Sequence, residues 1–297
     1  MKKILLAIFS FSAVTTGFAQ QLQSSSFYDQ QGVFHNPSTA GVQKHGMVGV
    51  TYRKQWTGIA GSPTTATLFG STFFAKQNFG LGGYIYNDKT GPTSRTGMNL
   101  AFAKHIPMKK GTFSVGIETK FHQYAIDIEK LSQSIGSDPV LGNGDSKFKF
   151  DAGFGISYTS DNLQVGASVA QLVQSKLDFY SGNLSRTGEA KLYRHYYFHG
   201  LYKFQVDEST TLTPNFLLTY LPNAPKEFQG GVRVEHSELL QWGVAYRAHQ
   251  GWLVNAGVKI QKKTTIGYSF EIYKSPLSLF DGGSNAHELM LRYEFLK

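Results

Sequence analysis

The chain has 297 residues, no cysteine, 32 glycines and a formal net charge of +9. Without cysteine it holds neither a disulfide framework nor a zinc–thiolate site, and no basic run or RNA-binding motif accompanies the positive charge, which argues against nucleic acid as a partner. The mean hydropathy of −0.24 suits a soluble protein, but it equally suits membrane strands, whose alternating faces average to neutrality.

The first element is a leader. Met1-Lys2-Lys3 is followed by an apolar run over residues 4–14 and then small residues up to Ala19. A basic start, a short apolar stretch and a small-residue end make a secretory signal peptide. The run is too short for a bilayer helix, which needs about 20 residues. Cleavage after Ala19 removes Lys2 and Lys3, so 27 basic against 20 acidic residues leave the mature chain at +7.

Residues 20–45 lack periodicity and are read as an N-terminal segment, either a plug seated in a barrel mouth or a periplasmic tail. Asn36-Pro37 initiates a turn, because Pro fixes φ and Asn accepts capping conformations. Gly41 permits close backbone approach.

From residue 46 to the end, period-two alternation recurs. Over 148–158, Phe148, Phe150, Ala152, Phe154, Ile156 and Tyr158 oppose Lys149, Asp151, Gly153, Gly155 and Ser157. A strand places such charges on one side, whereas a helix would scatter them. Strands are predicted near 46–56, 65–74, 78–87, 96–105, 113–123, 148–158, 162–172, 192–204, 209–220, 227–235, 238–247, 251–260, 264–273 and 286–296. Their lengths match the roughly 9–11 residues of a tilted membrane strand.

The polar face carries mixed charges, among them Arg53, Glu118, Asp151, Glu271, Glu288 and Arg292. A lumen accommodates such charges by pairing, while the aromatic-rich opposite face suits lipid. Connections alternate between short and long, with 125–147, 175–191 and 274–285 the longest. Bacterial barrels have short periplasmic turns and long outer loops. The fold class is therefore all-β: a transmembrane outer-membrane β-barrel of about fourteen antiparallel strands, with signal peptide 1–19, segment 20–45 and barrel 46–297.

By parity Arg53 and Gln55 face the lumen and Trp56 lies at the aromatic girdle, with Arg53 expected to pair with a lumen carboxylate. Asn87-Asp88 to Gly91-Pro92 reads as an outer-loop turn. Asp88 alone makes no calcium site, since no acidic ladder flanks it. No metal or cofactor motif, P-loop or nucleophile elbow is present, and the chain is read as not an enzyme. His195 and His199 share a strand face roughly 13 Å apart, too far for one metal. The loop 125–147 carries Asp127, Glu129, Lys130 and Asp138 among Ile126, Ile128, Leu131 and Val140. An apolar anchor with a polar rim is what protein interfaces offer, so Asp127, Glu129, Lys130, Leu131 and Asp138 are the partner-binding candidates.

Several short motifs occur in a fixed order. Asn36-Pro-Ser-Thr-Ala-Gly41 precedes the first strand and Tyr52-Arg-Lys-Gln-Trp56 ends it. Gly61-Ser-Pro63, Asn87-Asp-Lys-Thr-Gly-Pro92, Ser94-Arg-Thr-Gly97, the YAIDIEKL run at 124–131 and the HELMLRYEF run at 287–295 follow. In this order and spacing the chain resembles the PorP/SprF family of type IX secretion membrane proteins of Bacteroidetes. The resemblance implies an outer-membrane barrel serving type IX secretion and, in one branch, gliding motility. It further implies partners among exported adhesin-like cargo or machine subunits. The alternative reading is a porin-like barrel for solutes or hydrophobic ligands.

Overall fold

The computed structural model describes residues 24–135, 146–176, 192–222, 224–274 and 285–295. The signal peptide, Asp138 and most of the 175–191 and 274–285 connections lie outside them.

Fourteen antiparallel staves close into one barrel, with a short fifteenth strand continuing one of them. They are β1 (Gly46–Lys54), β2 (Thr64–Phe74), β3 (Phe79–Thr90), β4 (Thr93–Met108), β5 (Gly111–Ile126), β6 (Ser146–Thr159), β7 (Leu163–Ala170) and β8 (His195–Tyr202). There follow β9 (Phe204–Gln205), β10 (Thr210–Tyr220), β11 (Glu227–His236), β12 (Leu240–Arg247), β13 (Gly251–Ile260), β14 (Thr264–Tyr273) and β15 (Asn285–Phe295). Closure is made by β1 on β15, in register from Gly46 opposite Phe295 to Lys54 opposite His287. The register of β8 and β9 on β10 is continuous across the break at Lys203, and the break falls beside Pro214, which lies opposite Tyr202 and has no N–H to give the ladder.

Alternation divides the wall as the side-chain pattern requires. In β5, Ser114, Glu118, Lys120 and His122 are buried inside while Ile117 is 57% exposed on the outer face. Phe154 and Val254 also point outward, at 41% and 47% exposure. A transmembrane strand must satisfy its backbone within the sheet and present apolar groups to lipid, and this wall does both.

At one end the connections are uniformly short, as at 109–110, 160–162, 237–239 and 261–263; the opposite end carries the long ones. Three features depart from the sequence reading. β3 runs on to Thr90 and β4 begins at Thr93, so the loop-end connection there is only Gly91-Pro92. Asp88 is thus not in a turn but in the ladder opposite Arg95, taking a hydrogen bond from Thr65 Oγ1 at 2.8 Å. Thr90 and Thr93 are paired, and Gly91 at φ 57° supplies the conformation a tight hairpin needs. Second, β1 stops at Lys54, which puts Gln55 and Trp56 in the connection, with Trp56 at φ 49° and half-buried rather than on a girdle stave. Third, a helix, α1 (Ile128–Ile135), stands within the 125–147 connection.

Candidate functional site

A barrel of about eight strands is just wide enough for its own side chains to fill; one of fourteen leaves space. Here residues 24–45 occupy it. Ser26, Phe27, Asn36, Ser38 and Ala40 are each at most 1% exposed. Three single 3-10 turns, Tyr28–Gln30, Gly32–Phe34 and Pro37–Thr39, fold the segment compactly. Its residues descend from the loop end, where Ser25 and Ser26 lie, to the turn end, where His45 meets Glu294 at 3.8 Å.

The upper anchor is a charged cluster. Arg53 of β1 grips Glu271 of β14 through both terminal nitrogens, at 2.6 and 2.8 Å. Arg247 of β12 adds a contact to Glu271 at 3.2 Å. The segment enters this cluster directly. The Ser26 N–H and the Ser25 hydroxyl both donate to Glu288 at 2.7 Å, and the Ser26 hydroxyl donates to Glu271 at 2.7 Å. Such charge-assisted bonds are roughly twice as strong as neutral ones. Gln55 reaches the same cluster, donating to Tyr273 at 3.1 Å.

Below it, Phe27, Met47, Phe69, Tyr84, Tyr86 and Met290 form an apolar core inside the lumen. Phe34 packs on it, with ring centroids 4.7 Å from Tyr84 and 5.6 Å from Phe69. On the opposite wall the Tyr28 hydroxyl bonds to Asn215. Asp29 pairs with Arg233 at 3.1 Å, and Gln30 accepts from Arg292 at 3.0 Å.

The third anchor is Asn36. Its Nδ2 donates to the Ile156 carbonyl at 3.1 Å and lies 2.9 Å from His199 Nε2. Its Oδ1 caps the following turn, accepting from the Ser38 N–H at 3.0 Å and the Ser38 hydroxyl at 2.7 Å. Pro37 stands at the first position of that turn, where no N–H is needed. Ser168 donates to the His35 carbonyl. Gly41 then turns the chain out at φ 72°, and its N–H donates to Ser71 at 2.6 Å. A Cβ here would sit 2.7 Å from the Gly80 backbone, so the position needs glycine twice over, for conformation and for space.

The structure therefore brings Asn36, Pro37, Gly41, Arg53 and Gln55 together around the lumen segment. Trp56, Asp88, Gly91 and Pro92 lie toward the loop end and do not join this cluster. Of the loop candidates, Asp127 caps α1, accepting the Lys130 N–H at 3.1 Å, and also pairs with the Lys130 ammonium at 3.3 Å. That backbone bond is the main reason its carboxyl is held below the usual range. Glu129 and Leu131 both stand in the first turn of α1, two residues apart. Sequence reasoning placed Glu271, Glu288 and Arg292 on the lumen face but did not identify what they hold. Ser25, Ser26, Tyr28, Asp29 and Gln30 were not singled out at all, since an aperiodic polar stretch gives no signal of burial.

Comparison with solved structures finds outer-membrane barrels. The Acinetobacter baumannii outer membrane protein Omp33 superposes with a TM-score of 0.52 at 9% identity, covering 86% of this chain and all of that one. A Pseudomonas aeruginosa FadL homologue gives 0.52 at 12%, covering 88% and 93%. The Ralstonia pickettii toluene transporter TbuX gives 0.50 at 9%, covering 87% and 91%. At such identities the likeness speaks to the fold alone. No curated protein sequence matches the chain. The profile described as type IX secretion system membrane protein PorP/SprF matches residues 16–293, nearly the whole length, and the chain belongs to that family of outer-membrane β-barrels.

Proposed function

We propose that this barrel is a docking component of the type IX secretion machinery, holding an exported surface protein or a machine subunit at its mouths rather than passing solutes through its lumen. One observation carries this: residues 24–45 plug the lumen above its turn end and are bonded to staves around it, from Ser26 on β14–β15 to Asn36 on β6–β8 and Gly41 on β2. A barrel occupied in this way is a rigid scaffold, and recognition belongs to the loops such a scaffold presents. The short-turn end faces the periplasm in this reading, as in bacterial barrels generally, which puts α1 on the cell surface.

The test uses two measurements. Purified protein in planar bilayers should show no steady conductance, and deletion of residues 20–45 should open one. Affinity capture of the full-length protein from its own membranes should recover a large exported protein or a periplasmic machine subunit. Steady conductance of the intact protein, with no such partner captured, would return the porin-like reading.

A further inference from the structure

The turn end of the lumen is not filled. Below the segment a cavity of about 930 Å³ opens between Gly41–His45, the β4–β5 turn and the β6–β7 turn. That is the size of a substantial ligand site. Its lining includes seven Lys and Arg side chains against four Asp and Glu. Three of those carboxylates are already engaged. Asp29 and Glu235 lie 3.1 and 3.3 Å from Arg233, and Glu294 lies 2.7 Å from Arg292 and 3.1 Å from Lys259. Lys44, Lys109, Lys110 and Lys203 remain: all are exposed, and among the described residues none has a carboxylate within ion-pair distance. The cations stand on separate elements, Lys44 on the segment, Lys109 and Lys110 on the β4–β5 turn, Lys203 between β8 and β9, so they converge on the cavity from different walls. The fourth carboxylate of the lining, Asp161, is exposed on the β6–β7 turn.

We propose that this vestibule is a socket for a short acidic segment of a protein partner, inserted from the turn end. The idea rests on the docking reading above and adds to it the chemistry of one contact. Charge complementarity of this kind steers encounter and fixes register, and weakens with salt. A peptide segment suits the site better than a lone anion because the free cations are spread across the mouth instead of focused on one point. Lys44 and Lys203 face the lumen, away from the lipid wall.

The experiment uses the full-length protein in zwitterionic nanodiscs and a fluorescent twelve-residue peptide of alternating Glu and Ala, with a Gln-Ala peptide of equal length as control. The Glu peptide should bind about tenfold or more tightly than the control, and lose that margin as salt rises. Replacing Lys44, Lys109, Lys110 and Lys203 together by Gln should remove about tenfold in affinity, the combined effect of four exposed charge contacts. These side chains are exposed, so heat-modifiable gel migration should stay that of the folded barrel. A second readout does not depend on that variant: the peptide should slow maleimide labelling of Gln43→Cys, which lines the cavity, and leave Gln133→Cys on α1 unaffected. Equal binding of both peptides, unchanged binding by a folded quadruple variant, or no protection of Gln43→Cys would overturn the proposal. Displacement by citrate at concentrations comparable to the peptide would overturn it in favour of a small-anion site. None of these results bears on conductance or partner capture, so the docking reading stands or falls separately.

Discussion

Replacing Asn36 by Leu should unseat the lower half of the lumen segment while leaving the barrel folded. The side chain is fully buried and makes bonds in two directions. Leucine has similar bulk and no polar atom. The Ile156 carbonyl belongs to a strand ladder and loses only an auxiliary donor. Two groups lose more: the Ser38 N–H and His199 Nε2 are left buried without Asn36, each costing about 1–3 kcal/mol. Taking the middle of that range for both and crediting the leucine with about 1 kcal/mol of apolar burial leaves about 3 kcal/mol. At about 1.4 kcal/mol per factor of ten, the ratio of released to seated segment should rise roughly a hundredfold. Amide hydrogen exchange read by mass spectrometry measures that ratio when reclosing outpaces exchange. Peptides covering 30–42 should exchange about two orders of magnitude faster in the variant, while β13 and β14 peptides keep the parental rate. Exchange of 30–42 within threefold of the parent, in a barrel that still migrates as folded, would refute the reasoning and leave the seating to the charged cluster, the apolar core and the remaining wall contacts.

Further outcomes concern the wall, the topology and α1. Phe154→Arg or Val254→Arg, each placing a charge on the lipid face near mid-depth, should cost about 2–4 kcal/mol in reversible unfolding from liposomes. Lys149→Gln, on the other parity, should be much milder, and equal effects would mean the register is wrong. Gln133→Cys should label on intact cells with an impermeant maleimide and Glu208→Cys only after outer-membrane permeabilisation; the reverse pattern would invert the orientation. The Asp127 carboxyl titrates below its ordinary range because it accepts the Lys130 N–H. A depressed folded value means the cap stabilises α1 fully above the ordinary carboxylate pKa and loses that contribution as pH falls through the depressed one. Exchange in 128–135 should therefore accelerate under acid relative to its neutral-pH opening, and Asp127→Ala should abolish that pH dependence.

The wall was legible in the sequence because its rule is local. A residue facing lipid and its neighbour facing the lumen obey a period of two, so Phe148 to Tyr158 declared their strand and its sides without tertiary information. The ends were less legible. Asn87 and Asp88 look like turn residues, yet the ladder carries them, because Thr90 and Thr93 pair across a Gly-Pro hairpin that needs only two residues. Residues 128–135 read as loop because eight residues are too few for a helical period to stand out beside a capping Asp. Least legible was the lumen segment. Asn36, Pro37 and Gly41 announced turns, but burial of Ser26, Asp29 and Gln30 depends on partners more than two hundred positions away: Glu288, Arg233 and Arg292. No local pattern encodes that complementarity.

The charged lumen has a consequence for how a partner can engage. Alternating Arg and Glu on an inner wall can pair among themselves, as Glu118 and Lys120 do at 2.7 Å, and a wall so paired would line an open pore. Here a good part of that capacity is directed to the chain's own segment: Glu288 binds Ser25 and Ser26, and Arg233 binds Asp29. Each of these wall groups is at least nine-tenths buried, and a buried charge stripped of its partner costs several kcal/mol. A ligand that threaded the barrel would have to replace these bonds together with the Phe34 and Phe27 packing. A protein that docks at the loop end or enters the vestibule replaces none of them. Under the docking proposal, association at the mouths is thus the energetically open route.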